Sequence, residues 1–349
     1  MTDSQWEELL RVLAGEVLDP PPVGLIVDSP WLPGWAGFSI LDYLTDERVW
    51  LEVNLKACRR FPGIMLLPGF WAEYGMSTEP SAFGCKCVWP EREFPYPERV
   101  LDDLSQVGRL KRPNCRSDGL LPFVVKRLEH ARPAIERQRH RIRFATSRGP
   151  MNIASYLVGQ TEFLTGIKTE PELAHRLLDL VTAFICDWLV YQAGRFDTID
   201  GVLVLDDLVG FVGPADFCEF ALPYLKRIFQ SLDVAVKAFH NDAHGLVTAR
   251  HLAEIGVNLF NFSFQHPLDQ MRAVCGDSVT LLGNLPPRDV LAEGTAEDVR
   301  RAARGMLEAV SDRRRIVFSA GGGTPPGVPT ENLEAFWAVI AGPIDRPTR

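Results

Sequence analysis

The segment His240-Asn241-Asp242-Ala243-His244 follows directly on the apolar run 234–239, so polar, potentially reactive side chains appear where a buried strand opens. On an extended segment His240 and Asp242 fall on one side. A neutral imidazole beside carboxylates suits zinc or another divalent ion. The same pair can serve as acid and base. The structural alternative is that His240 packs in the loop, that Asp242 caps the following helix, and that His244 sits in that helix's first turn. A second run, 201–205, ends in Asp206-Asp207. Two carboxylates side by side are costly to bury unless a cation, a metal or a shared proton offsets their repulsion. Successive strand residues point opposite ways, so at most one of the two faces inward, as metal ligand or general base. The other reading is a helix cap or a loop hydrogen bond.

These groups need elements to position them. The chain reads as an amphipathic helix over 1–20 stopped by Pro20-Pro21-Pro22, a strand at 23–27, and a loop at 28–38 rich in Trp, Pro and Gly. A helix at 39–60 and a strand at 64–68 follow. Residues 81–97 form a small strand-and-loop excursion, 101–107 a helical turn, 119–138 a long helix and 142–146 a strand. Helices come next at 152–165 and 170–195, the latter with Thr169 as expected N-cap and Pro171 in its first turn. From there strands at 201–205, 234–239, 257–262, 279–282 and 315–319 alternate with helices at 214–232, 246–255, 267–275, 295–310 and from 331 onward. Continuous apolar strands alternating with amphipathic helices mark a parallel sheet covered on both faces. About eight such units favour an α/β fold of the (β/α)8 TIM-barrel type, one domain over 1–349 with residues 1–22 as an N-terminal helical extension. No glycine-rich dinucleotide motif follows an early strand.

In a barrel the chemistry collects at the C-terminal ends of the strands. Those ends carry Glu73 and Tyr74, Arg148 and Asn152, Asp206 and Asp207, the His240–His244 segment, then Asn261, Ser263, Gln265 and His266, then Gly283-Asn284, and Gly321-Gly322-Gly323. Asp206, Asp207, His240 and Tyr74 are the candidate catalytic residues. Arg148 can clamp a carboxylate or phosphate, or lie on the surface. The glycine run lets a ligand approach the backbone, or makes a tight turn. Trp35, Phe70, Arg148, Asn152, Asn284 and Gly322 are the candidate substrate contacts; the aromatic members suit an apolar substrate moiety or simple packing.

The 349 residues carry a formal net charge of -8, and the stretch 132–143 reads as a solvated helix face, which argues against nucleic-acid binding. The polar N-terminus is unlike a signal peptide and no apolar run is long enough to span a bilayer, so the expected location is the cytoplasm, without membrane contact. Seven cysteines are scattered, and only Cys85 and Cys87 lie close. Their spacing can hold a soft metal or simply place both side chains on one face of a strand.

Gly149-Pro150 before a helix, the strand ending at His240, Gly283-Asn284 before a helix near Gly294-Thr295, and the terminal Gly-Gly-Gly-Thr-Pro-Pro-Gly-Val-Pro-Thr-Glu-Asn together resemble the uroporphyrinogen decarboxylase superfamily, over about residues 42–341. The resemblance implies a (β/α)8 barrel with its site in the mouth. Decarboxylase members carry an arginine-rich loop, whereas the matching residues 29–38 hold no arginine. The other branch contains corrinoid-linked methyltransferases. Thiol-activating members show His-X-Cys and a later Cys, where this chain has Asp242 and Gly322 or a neighbour; residues 40–73 look more like demethylase members, with carboxylates and His on the metal. That likeness implies Glu73, Asp206 or Asp207, His240 and Asp242 as an oxygen/nitrogen set, with Glu73, His240 and Asp242 foremost, for zinc or another divalent metal. The corrinoid would sit on a partner protein, because this chain lacks the Asp-X-His-X-X-Gly binding motif. The expected activity is therefore methyl transfer from a small O- or N-methylated substrate to a corrinoid protein. The alternative is a decarboxylase or lyase acting on a small acid, and a third reading is a small-ligand binder without catalysis. The expected partners are a small-molecule substrate, a corrinoid protein and a second copy of the chain as a homodimer.

Overall fold

The computed structural model describes residues 1–27 and 30–342; Asp28 and Ser29, which begin the Trp-rich loop, and residues 343–349 lie outside the described residues. Eight parallel strands build a (β/α)8 barrel: β1 Val23–Ile26, β2 Ile64–Leu67, β3 Phe144–Arg148, β4 Gly201–Leu205, β5 Val236–Asn241, β6 Leu259–Phe262, β7 Thr280–Leu285 and β8 Ile316–Ala320. Their hydrogen-bonded order is β2-β1-β8-β7-β6-β5-β4-β3. The curled sheet brings its two edges to one interior space, lined by Leu67 and Pro68 from the β2 side and Phe144 from β3.

No strand pairing joins β2 to β3 among the described residues, so the edge of β3 needs other partners. Side chains supply them. The Gln192 amide accepts from the Thr146 N–H (3.0 Å) and donates to the Thr146 carbonyl (2.9 Å). The buried Glu79 carboxylate accepts from the Arg148 N–H at 3.0 Å. The barrel is thus caulked by a glutamine and a glutamate at the seam where a ladder would otherwise run.

Period-two alternation divides the strand residues between two cores. Val202 and Val204 pack outward against the helices, whereas Leu203 and Leu205 point inward with Ile26, Met65, Leu67, Phe144, Val236, Ala238, Leu259, Leu282 and Val317. Trp6, Leu9, Val12 and Leu13 of helix Asp3–Leu13 join that inner core. The extension therefore stops the N-terminal end of the barrel. Trp6 meets Phe144 edge to face, with centroids 5.5 Å apart, and Thr2 starts the helix through a capping box with Gln5. This helix is shorter than the expected 1–20, because Gly15 takes a left-handed conformation just beyond it.

Other boundaries differ for equally local reasons. The helix expected over 39–60 is two, Ile40–Thr45 and Glu47–Arg60; Asp46 stays extended between them and caps the second through the Arg48 and Val49 N–H groups. The stretches expected as single helices at 214–232 and 246–255 are each broken in two. Thr169 is not the N-cap of Pro171–Arg195, because helix Gln160–Thr169 runs to within one residue of it and the Thr169 hydroxyl bonds back to the Thr165 carbonyl. Both β3 and β5 end two residues later than expected, so Arg148 and His240 belong to strands. No helix of the described residues is long and apolar enough to cross a membrane.

Replacing Trp6 by Ala removes the largest side chain of the stopper from a buried site. The unfolding free energy should fall by about 3–5 kcal/mol, measured by urea denaturation; an unchanged stability would contradict the placement of this helix in the inner core.

Candidate functional site

Even-numbered residues of β5 face inward, so Ala238 is followed on the same face, one step nearer the mouth, by His240. The register sets Leu205, His240, Asn261 and Leu282 side by side across four strands. His240 Nδ1 lies 2.7 Å from Asn261 Oδ1. The Asn261 amide nitrogen donates to the carbonyls of Leu282 (2.7 Å) and Ala320 (3.1 Å). Those two carbonyls can only accept, which assigns the Asn261 orientation; its Oδ1 is then an acceptor, and His240 must carry its proton on Nδ1. In the neutral ring the lone pair is then on Nε2.

That lone pair faces two carboxylates. His240 Nε2 lies 3.6 Å from Asp207 Oδ1 and 3.8 Å from Asp242 Oδ2; the side chain of His240 is only 6% exposed, against 38% for Asp207 and 48% for Asp242. Ligand atoms of the three all lie within 4.8 Å of one another. A tetrahedral ion with bonds of about 2.0–2.2 Å sets its ligands about 3.3–3.6 Å apart. The two histidine–carboxylate distances are close to that spacing, and a cation would relieve the apposition of two carboxylates. Three protein ligands leave one position open, the arrangement of catalytic zinc sites. The Asp242 N–H donates to Asp207 Oδ1 at 3.1 Å, tying the two loops together. Burial pushes the Asp207 carboxyl upward, His240 opposes this, and Asp242 adds to it. A Cβ at Gly322 would lie 3.1 Å from Asp242 Oδ2 at a φ of +134°, so glycine is what lets the last barrel loop close against the cluster. The helix after Asp242 begins at Gly245 without a side-chain cap, so Asp242 is not its cap.

Asp206 points the other way and is fully buried. Its carboxylate accepts from the Met151 N–H at 2.9 Å and the Asn152 N–H at 3.0 Å, at the N-terminus of helix Pro150–Val158. A Cβ at Gly149 would lie 2.4 Å from Asp206, so this approach requires the glycine. Burial pushes the Asp206 carboxyl up to about 8 against the pull of the Met151, Asn152 and Leu208 N–H groups. Asn152 joins the same framework, with Oδ1 accepting from the Leu208 N–H at 3.0 Å. Both residues hold the turn that aims Asp207.

The structure places Glu73 in a different partnership from the one the resemblance implied. Arg148 Nη1 meets Glu73 Oε2 at 2.6 Å and lies 3.9 Å from Glu79 Oε2, with all three side chains buried. Glu73 Oε1 and Glu79 Oε2 have no hydrogen-bond partner. Arg148 is thus neither a surface residue nor a free anion clamp. Burial raises the Glu73 carboxyl, with Arg148 opposing. Tyr74 Oη accepts from Arg127 Nη2 at 2.8 Å, and the guanidinium lies 4.4 Å from the Tyr74 ring centroid, so the phenol is held by Arg127. Trp35 packs on Trp31 and Phe61 and donates its indole N–H to Thr330 Oγ1 at 2.9 Å. Phe70 is buried between Trp50 and His140. Asn284 donates to the His266 carbonyl. His244 meets His266 edge on, at 4.9 Å between centroids. Cys85 and Cys87 are free thiols beside a two-residue hairpin pairing Cys87–Val88 with Tyr96–Pro97.

Two residues at the mouth escaped the sequence reading. Glu79 sits in the short helix Thr78–Ala82, and nothing local marks it as the partner of a strand sixty-nine residues away. Tyr156 lines a cleft of about 420 Å³ with Asn152, Asp207 and Phe211, and burial pushes its phenol up to about 12. Its spacing of four from Asn152 on one helix is the signal that could have found it.

The sequence model of the uroporphyrinogen decarboxylase family matches residues 4–342. Similar curated proteins include a uroporphyrinogen decarboxylase of Thioalkalivibrio sulfidiphilus, 27% identical over 96% of this chain and 97% of that one. Another, of Pseudoalteromonas translucida, is 26% identical over 96% of each chain. Among solved structures, a methyltransferase from Methanosarcina mazei superposes with a TM-score of 0.80 at 20% identity, covering 95% of this chain and 96% of that one. That likeness is one of fold.

The Asp206 environment has a pH signature. The unfolded chain releases this proton near pH 3.9, and the folded chain holds it to about 8. Between those values the folded state binds more protons, so the carboxyl's contribution to stability falls as pH rises through the window. The stability of wild type relative to Asp206→Asn should therefore decline from about pH 5 to about pH 8 in denaturant titrations; a flat difference would show that the buried carboxyl is ionised throughout.

Proposed function

Because the chain belongs to the uroporphyrinogen decarboxylase family, we propose that it is a methyltransferase of that family, moving a methyl group from a small O- or N-methylated substrate to a corrinoid held on a partner protein. The observation that carries this reading is the Asp207–His240–Asp242 cluster with the Nε2 lone pair directed into it. His240, Asp207 and Asp242 would hold zinc or another divalent ion, which supplies Lewis acidity to the oxygen or nitrogen that departs from the methyl group. Asn261 orients His240 from behind, the arrangement by which outer partners raise imidazole basicity. The Asp206 cap and the Gly149 approach hold the Asp207 turn. The acceptor is a cosubstrate, since methyl transfer of this kind needs a strong cobalt nucleophile that no side chain provides. We also infer a cytoplasmic location, in keeping with the family to which the chain belongs.

Decarboxylation is the second reading, favoured by the names of the relatives at 26–27% identity. The charges at the mouth count against it for a polycarboxylate. Arg148 is already neutralised by Glu73 with Glu79 close by, while Asp207 and Asp242 add negative charge. Residues 29–38 contribute no arginine. A tetrapyrrole with several carboxylates would meet repulsion.

Metal-loaded wild type incubated with cob(I)alamin and methoxylated aromatic compounds should form methylcobalamin, read from its absorbance spectrum. Asp207→Ala and Asp242→Ala should each lower the rate by about a hundredfold or more, and Asn261→Leu should weaken zinc binding by about 10–100-fold. Release of carbon dioxide from a porphyrinogen, with no methyl transfer to cobalamin from any methylated compound tried, would overturn the reading in favour of a decarboxylase.

A further inference from the structure

Away from the mouth, one cluster pairs a nucleophile with a base. Cys218, on helix Pro214–Phe220, is the exposed one of the seven thiols. Its Sγ lies 3.7 Å from His251 Nε2. The other ring nitrogen, Nδ1, lies 3.6 Å from Glu254 Oε2. The imidazole stacks on the buried Phe217, with centroids 5.3 Å apart and planes inclined by 26°. Phe217 therefore anchors the ring, and the carboxylate favours a proton on Nδ1, which leaves Nε2 as an acceptor toward the thiol.

The remaining cysteines are held in the unreactive thiol form. Burial pushes Cys85 and Cys275 up to about 12 and Cys115 up to about 11, and it raises Cys58, Cys87 and Cys186. Since the thiolate is the nucleophile, six of seven sites are disarmed by their surroundings and one is left open beside a base.

We propose that Cys218 is a site of covalent modification that takes up half of a low-molecular-weight disulfide, with His251 as proton acceptor. The thiol proton passes to His251 Nε2, the sulfur attacks one sulfur of the disulfide, the new Cys218 S–S bond forms as the old one breaks, and the second half leaves as a thiolate that recovers the proton. Cys218 is oxidised and the leaving half reduced, so no further oxidant is needed. The helix bearing Cys218 follows the turn that carries Asp207, and His251 follows the loop that carries Asp242. The adduct would therefore form on elements that directly follow, in the chain, the two segments that supply both carboxylates.

The test is a time course of the full chain with glutathione disulfide, mapped by peptide mass spectrometry. The Cys218 adduct should appear at least about tenfold faster than any other, and Cys218→Ser should remove it. His251→Gln should slow the reaction by about tenfold, with Glu254→Gln, which leaves the imidazole and its stacking on Phe217 in place, slowing it by a smaller factor. Labelling of Cys218 no faster than that of Cys58 or Cys186, or a Cys218 rate unchanged in both the His251 and Glu254 variants, overturns the proposal.

Discussion

The hydrogen bond between His240 and Asn261 decides what the barrel mouth can do. Without it the neutral imidazole could carry its proton on either nitrogen, and a proton on Nε2 would simply donate to one of the two carboxylates. With it, the neutral ring turns its Nε2 lone pair toward the acidic cluster. The bond in turn depends on the barrel itself. Asn261 is oriented by the carbonyls of Leu282 and Ala320, one on each of the next two strands, so four strands, that of His240 included, must hold their register for one ring to keep its tautomer. A partner held by neighbouring barrel strands positions a side chain more firmly than a loop contact would.

The rest of the mouth divides its charges between framework and site. Asp206 is spent on a helix N-terminus, Glu79 on the unpaired edge of β3, and Glu73 on Arg148. Asp207 and Asp242 are what remain near His240. The seam between β2 and β3 explains why so many carboxylates lie here. Where strand pairing lapses, side chains must satisfy the backbone, and a buried carboxylate doing so invites a buried arginine. Arg148 thus belongs with the closure of the barrel, and the site is left with a net acidic character that suits a cation better than an anion.

Much of this was legible in the sequence. The apolar runs and their spacing carry the eight strands, because a strand buried on both faces needs continuous apolar residues. Alternation already required that Asp206 and Asp207 diverge, and the structure adds which one turns inward. It could not be read that His240 lies within a strand, because a polar residue at a strand end looks like the start of a loop. The partnership of Glu79 and Arg148 was equally hidden, since it joins elements distant in sequence across a seam. The helix breaks at Asp46 and Ala221 were missed because amphipathic periodicity runs through both. Trp35 and Phe70 read equally as substrate contacts or as packing, and the structure sets both against other rings.

The central claim is that His240, Asp207 and Asp242 hold a divalent metal through nitrogen and oxygen alone. The most direct test is a zinc K-edge absorption spectrum of the zinc-loaded protein. The account predicts a shell of light scatterers at about 2.0–2.2 Å that includes an imidazole, with no sulfur, and loss of bound zinc in His240→Ala. A sulfur shell at about 2.3 Å, or zinc retained unchanged after His240 is removed, would contradict it.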